Sequence, residues 1–202
     1  MNKLLGSSLV VATLLGVGFV ANKSFADQTV QGTSATVEVN GTLGADNTNP
    51  DSNIPEGDDN WINVTVPTST IFYNTPTDST VKSPTYKIVN NSGRPVDVSA
   101  TSFTADSANV APNDFALSLN VVGTATNTAT TAHTDLVTAG AVNGSLNSSL
   151  ITLANKDGKL TSAGTANPTD NTASFTYGGS SATTTMTQLT YNLGLTFKSV
   201  GW

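Results

Sequence analysis

Short stretches of alternating apolar and polar residues recur beyond residue 26, and no stretch there keeps apolar residues at helical spacing. The longest alternation lies near the C-terminus, with apolar residues at Leu189, Tyr191, Leu193, Leu195 and Phe197. A similar pattern runs from Phe115 to Val121. Because successive side chains of a strand point to opposite faces of a sheet, both patterns predict strands that bury one face.

Shorter apolar runs predict further strands at residues 35–39, 61–66, 71–73, 86–89, 96–100 and 150–153. Turn residues separate them, and Asp157-Gly158 predicts a hairpin between residues 150–153 and Leu160. We therefore expect an all-β fold, a single β-sandwich of about eight to ten strands, either Ig-like or jelly-roll-like. An open barrel is the second choice.

Three segments do not fit the strand pattern. Residues 46–60 form a loop rich in acidic residues, Asn and Pro. Residues 122–148 and 161–187 contain few large apolar side chains and many Thr, Ala and Ser residues. We expect the last two segments to be long surface loops or weak edge hairpins.

Residues 1–26 have the pattern of a secretory signal peptide. Lys3 precedes an apolar run from Leu4 to Val20, and Ser24-Phe25-Ala26 places small residues before the expected cleavage between Ala26 and Asp27. Residues 27–202 then form a single domain that is exported and leaves the membrane once the signal is removed. An uncleaved membrane anchor is the weaker interpretation of the same apolar run.

The charge and cysteine content restrict the partners and the means of stabilisation. Removal of residues 1–26, which contain Lys3 and Lys23 but no acidic residue, changes the formal net charge from −6 to −8. An acidic surface repels phosphate backbones and anionic lipids, which argues against nucleic-acid and membrane partners. The chain has no cysteine, so an exported form depends on packing and sheet hydrogen bonds rather than on disulfides.

The residues that could perform catalysis are few. The single histidine, His133, precedes Asp135 in a segment of small residues, where a solvated loop position is favoured over a Ser-His-Asp fragment or a metal ligand. A zinc site of His and Cys ligands needs more such residues than one chain of this sequence provides. We therefore predict no catalytic residues, no cofactor and no enzymatic activity.

The acidic loop is the one segment with a possible metal-ligand composition. Oxygen ligands in an extracellular loop suit calcium, although the spacing matches no EF-hand and Pro50, Pro55 and Gly57 favour solvated turns. Calcium is therefore a weak expectation here. Its candidate ligands are Asp46, Asp51, Glu56, Asp58 and Asp59.

Exposed aromatic rings offer another route to function, because sugar-binding sandwiches stack sugars on flat Trp or Tyr faces. The candidates are Trp61, Phe72, Tyr73, Tyr177 and Trp202. A core position is favoured for Trp61, whereas Tyr177, before Gly178-Gly179, is equally consistent with the core and with the surface.

The C-terminal segment Tyr191-x-x-x-Leu195-Thr196-Phe197, together with the signal peptide and the cysteine-free β-rich chain, resembles WxL-type surface proteins of Gram-positive bacteria. Residues 58–73 and 83–100 also resemble segments of secreted proteins from the same surface systems. The family pattern has Trp at the position of Phe197 and Leu at the position of Ser199, so the Trp-x-Leu pair itself is missing.

The resemblance implies non-covalent attachment to the cell wall and assembly with other surface proteins. We accordingly expect a secreted or wall-associated protein that acts by adhesion or as part of a surface complex, with peptidoglycan or surface proteins as partners. Two alternatives stay open. One is a fibre or matrix subunit, a homo-oligomer in which residues 28–39 add to a neighbour's sheet, and the other is a carbohydrate-binding module.

Overall fold

The structure is a computed structural model that describes residues 45–202. The expected signal peptide, its cleavage at Ala26 and Asp27, and the expected strand at residues 35–39 lie outside the described residues. The described strands are β1 Val64–Thr65, β2 Tyr73–Thr75, β3 Asp78–Lys82, β4 Tyr86–Asn90, β5 Val96–Ala105, β6 Ala116–Val122, β7 His133–Thr138, β8 Ala141–Val142, β9 Ser145–Leu153, β10 Thr172–Ser180 and β11 Tyr191–Ser199. One short 3-10 helix spans Asp59–Trp61.

The strands form two antiparallel sheets. The larger has eight strands, of which six follow the order β1-β4-β10-β6-β7-β8, while β3 pairs with β10 and β2 pairs with β3. The smaller has the order β11-β5-β9. The turn at residues 91–95 carries the chain from β4 in the larger sheet to β5 in the smaller one.

The core lies between the two sheets. Strands β6 and β10 of the larger sheet contribute buried side chains such as Leu119 and Phe175, and β5 and β9 of the smaller sheet contribute Val98 and Leu150. The predicted all-β sandwich is thereby confirmed. No helix among residues 45–202 has the length and hydropathy needed to cross a membrane.

The strongest alternations form strands as predicted. Strand β6 buries Leu117, Leu119 and Val121, and β11 covers most of the C-terminal pattern. The expected hairpin to Leu160 is wrong. The turn does form, with Gly158 at a φ of 80°, but no strand follows it because the next residues pack back through a bond from the Asn167 N–H to the Gly158 carbonyl.

The predicted strand at residues 61–66 is also shorter than expected. Trp61 ends the 3-10 helix and is fully buried, with its indole N–H donating to the Pro55 carbonyl at 3.0 Å. Only Val64 and Thr65 pair with another strand. Burial of the Trp61 ring therefore determines the local backbone more strongly than the alternation of the neighbouring residues does.

The two segments expected to be long surface loops or weak edge hairpins differ in outcome: β7 and β8 in the first do form an edge hairpin, whereas the second contains a central strand. Residues 122–148 contain β7, β8 and the start of β9, and residues 161–187 contain β10, a central strand of the larger sheet. Strand β10 buries only Ala173, Phe175 and Tyr177, with Ser and Thr between them. Hydrogen bonding to β4 and β6 on its two sides compensates for the small side chains, so a low apolar content is sufficient there.

The two edges of the smaller sheet differ. The outer edge of β9 is covered, because the N–H of Thr130 donates to the Leu150 carbonyl at 2.8 Å and the side-chain amide of Asn127 donates to the Thr152 carbonyl. Within the described part of the chain, β11 pairs with β5 alone. One edge of the sandwich therefore presents unpaired backbone groups.

Because β10 lies in the centre of the larger sheet, truncation of its buried Phe175 side chain should lower the stability of the protein. We expect Phe175→Ala to lower the free energy of unfolding by about 3–5 kcal/mol, because the Phe175 ring packs against Tyr86 and Tyr177 in the closed core. Urea unfolding of residues 27–202 measures this change. Thr176→Ala, at the next position of β10, is the matched control with a change below about 1 kcal/mol. Equal effects of the two substitutions would contradict a core position for β10.

Candidate functional site

Arg94 attaches the acidic loop to the sandwich. Its Nε donates to both carboxylate oxygens of Glu56, at 3.1 and 2.9 Å, and its Nη1 donates to the Pro50 carbonyl at 2.8 Å. The guanidinium also lies over the rings of Trp61 and Trp202, at 4.3 and 4.9 Å from their centres. Cation–π and charge-assisted contacts thus converge on one buried arginine, which gives Glu56 a structural role.

The five calcium candidates are not brought together. Glu56 is paired with Arg94, the Asp46 carboxylate accepts from the Thr48 N–H and hydroxyl, and Asp58 accepts from the Asn60 N–H as cap of the 3-10 helix. Among residues 45–202 no group of three or more His, Cys, Asp or Glu side chains is placed to hold a metal. The remaining candidates, Asp51 and Asp59, are exposed in the same loop.

These bonds lower the pKa of two loop carboxyls. The side-chain hydrogen bond from Arg94 is the main cause that lowers the pKa of Glu56, and the hydroxyl of Thr48 does the same for the pKa of Asp46. Both groups are therefore stabilised as carboxylates by their own neighbours.

His133 lies on a strand and not in a loop. It is exposed on β7, where Nε2 lies 3.0 Å from an Asp135 carboxylate oxygen and Nδ1 lies 2.8 Å from the Asn120 side-chain oxygen. Both ring nitrogens thus have partners on the surface of the larger sheet. The pair with Asp135 that the sequence suggested does form, while no Ser hydroxyl of the described residues hydrogen-bonds to the His133 ring.

The aromatic candidates are mostly internal. Trp61 is fully buried, Tyr177 is 7% exposed with its hydroxyl 3.0 Å from that of Thr70, and Phe72 stacks on Phe115. Burial raises the pKa of the Tyr177 hydroxyl. Tyr177 is therefore not a sugar-stacking platform. Of the five candidates, Tyr73 is the exposed one, at 52%.

The segment that resembles the WxL-type C-terminus forms one wall of an open cleft, which we call the β11 cleft. Its volume is about 490 Å³. Residues 66–70, which continue from β1, form the opposite wall. No charged side chain lines the β11 cleft. The apolar row of β11 consists of Tyr191, Leu193, Leu195 and Phe197, which are only partly buried.

A buried polar group lies at one end of this cleft. The Tyr191 hydroxyl is enclosed and has no hydrogen-bond partner among the described residues, and burial raises its pKa. The Tyr191 ring stacks on Phe103 with 4.9 Å between centres. The ring is thus fixed while its hydroxyl is unsatisfied, which is an uncommon and costly state for a buried polar atom.

A second cavity lies under residues 183–189, a segment that we call the strap. The cavity has a volume of about 320 Å³, with Phe72, Val81, Phe115 and Leu189 among its apolar lining. Strap side chains, mostly Thr with Met186, form the rim together with Tyr73 and Asn74. We call this cavity the strap pocket, and no charged side chain lines it either.

Sequence reasoning named Phe72 and Tyr73 as aromatic candidates but did not predict the strap pocket. Residues 183–187 lie in the segment expected to be a loop or a weak edge hairpin and are irregular, whereas Leu189, expected to begin the C-terminal strand, precedes β11. Met186, isolated within a run of threonines, is the sequence feature that could have indicated this site. A large apolar residue in a polar segment is either covered by other side chains or available to a binding partner. Met186 is 86% exposed.

Comparison of the chain with protein-family models, with curated proteins and with solved structures gives no match.

The Arg94 cluster predicts a specific loss of stability. We expect Arg94→Lys to lower the free energy of unfolding by about 1–3 kcal/mol, because a lysine cannot reproduce the bidentate bond and the stacking between two Trp rings. Lys82→Met removes an exposed ion pair with Asp78 and is the control, for which we expect a clearly smaller loss because solvent screens the pair. Chemical denaturation compares the two, and similar losses would contradict the structural role of Arg94.

The same cluster predicts a pH dependence. A carboxyl whose folded-state pKa is lowered contributes stability above its ordinary pKa, which is 4.5 for Glu56, and this contribution is lost as the pH falls through the folded-state pKa. We therefore expect the free energy of unfolding of Glu56→Gln to fall less steeply below pH 4.5 than that of the wild type. Unfolding curves recorded across this pH range test it, and parallel declines would contradict it.

Proposed function

We propose that this chain is a secreted or cell-wall-associated, non-enzymatic surface protein that acts as a component of a surface complex. The observation that supports this proposal is the outer edge of β11, which no strand of residues 45–202 pairs with and where backbone groups and a half-buried apolar row border an open cleft. An extended segment of another chain can pair with such an edge and place alternate side chains in the cleft.

The composition of the cleft favours binding over chemistry. Acid–base catalysis near neutral pH needs a group that titrates in that range. The titratable side chains that line this cleft are Tyr177 and Tyr191, and burial raises the pKa of both above the ordinary value of a tyrosine. The segment that resembles WxL-type proteins is β11 itself, so the resemblance and the edge that stays unpaired within residues 45–202 support the same role.

A fibre-forming subunit is the second candidate, because the same edge suits a strand from another copy. Residues 35–39 alternate Ala35, Val37 and Val39 with polar residues, as a strand that adds to this edge requires. Concentration-dependent polymers of the purified chain in analytical ultracentrifugation would favour this candidate over a complex with other surface proteins.

The main test places a charge in the cleft. Washed Gram-positive cell walls that keep their proteins should retain residues 27–202, and walls stripped of protein should not. Leu195→Lys should abolish retention, because the ammonium group would enter an apolar, uncharged cleft. Thr196→Lys, at the next position of β11 and outside the cleft lining, is the matched control and should be retained.

The alternative outcomes of this test are distinct. Retention of Leu195→Lys on protein-bearing walls would show that β11 is not the binding edge. Retention of the wild type on stripped walls would mean that the chain binds peptidoglycan directly. Its function would then be adhesion to the wall and not membership of a surface complex. Urea unfolding of both variants establishes that each is folded before the walls are added.

A further inference from the structure

The strap is held at its two ends and makes few contacts between them. At one end the Ala182 N–H donates to the Asp114 carboxylate. At the other end Asn109 binds the backbone of Thr190 twice, donating to its carbonyl at 2.7 Å and accepting from its N–H at 2.9 Å. Both anchors are residues of the 106–114 connection between β5 and β6.

The backbone of the strap is unusually free of partners. No backbone N–H or carbonyl of residues 184–189 hydrogen-bonds to another part of the described chain; the only bonds to these groups come from the side chains of Thr183 and Thr187 to the Thr185 carbonyl. A seven-residue segment of irregular backbone fixed at both ends thus presents donors and acceptors beside an apolar cavity.

The cavity beside the strap suits an apolar group and not a charged one. Its lining contains Phe72, Val81, Phe115 and Leu189, and it contains no Lys, Arg, His, Asp or Glu. A charged group that entered would lose hydration without gaining a counter-charge. Exposed Met186 and half-exposed Tyr73 extend the apolar surface to the rim.

These two features select between ligand classes. Sugar binding needs a flat aromatic face open to solvent, but the Phe72 and Phe115 rings stack on each other at 5.7 Å inside the protein. An extended peptide instead carries amide groups for the strap backbone and side chains for the cavity. A cavity of about 320 Å³ is at the lower end of the usual range for ligand sites and suits one large apolar side chain.

The geometry points to the strap pocket as a binding site for an extended, uncharged peptide segment, which pairs with the backbone of residues 183–189 and places a large aliphatic or aromatic side chain in the cavity lined by Phe72, Phe115 and Leu189. This site is separate from the β11 cleft and does not rest on the function proposed above. It gives the chain a second surface for a polypeptide partner, on the side of the larger sheet where β2 and β3 lie.

Amide chemical shifts of isotope-labelled residues 27–202 test this site. The probe is the blocked peptide acetyl-Thr-Leu-Thr-Leu-Thr-amide, and its matched control has Asp in place of both Leu residues. We expect the leucine peptide to shift the amides of the strap and of Tyr73 and Asn74 with millimolar affinity, and the aspartate peptide to shift none of them.

Two variants with the same new side chain locate the binding. Thr187 lines the strap pocket and Gln188, the next residue, does not, although both are exposed. Thr187→Trp should occupy the pocket and weaken binding of the leucine peptide by about tenfold or more, while Gln188→Trp should leave it unchanged.

Each of the following results would overturn the proposal: no shift with the leucine peptide, equal shifts with both peptides, equal weakening by the two Trp variants, or stronger strap shifts with chitotriose than with the leucine peptide. Shifts confined to residues 66–70 and β11 would also reject the strap pocket while supporting the β11 cleft, so failure here is distinguishable from failure of the proposed function.

Discussion

Contact between the inner faces of the two sheets is the interaction on which the rest of this structure depends. The chain has no cysteine and therefore no disulfide, so the apolar rows of β5, β6, β9 and β10 supply the stability that a disulfide could otherwise add. Two surface segments are attached to this core by polar bonds. Arg94 attaches the acidic loop, and Asn109 and Asp114 attach the strap.

The polar bonds of the surface are distributed unevenly. The 46–63 segment is closely bonded, because the Gly93 N–H donates to the Asn47 carbonyl and the Arg94 guanidinium donates to Glu56 and to the Pro50 carbonyl. The β11 edge and the strap have few such bonds. Unpaired backbone groups raise the free energy of a surface segment unless water or a partner supplies the missing hydrogen bonds. The β11 edge and the strap are therefore better candidates for binding than the acidic loop.

Sequence reasoning was most successful where one face of a strand is both large and apolar, as in β6 with Leu117, Leu119 and Val121. It failed for β10, because the stability of a central strand comes from two neighbours that are distant in sequence, and small residues suffice when both edges are paired. The calcium and stacking candidates failed for a related reason. Composition shows which side chains are present, but the partners that occupy Glu56 and Tyr177 come from residues far along the chain.

The uncharged lining of both clefts has a consequence for the conditions in which this protein can work. Attraction between charges is screened by dissolved ions, and its range shortens to about 3 Å in molar salt. Apolar contacts do not depend on such attraction, and salting-out ions strengthen them. The β11 cleft offers such contacts at Leu193, Leu195 and Phe197, and the strap pocket offers them at Phe72 and Leu189. Repulsion between the acidic surfaces of two molecules is screened in the same way, whereas the apolar contacts of the two proposed binding surfaces would persist in media of changing ionic composition.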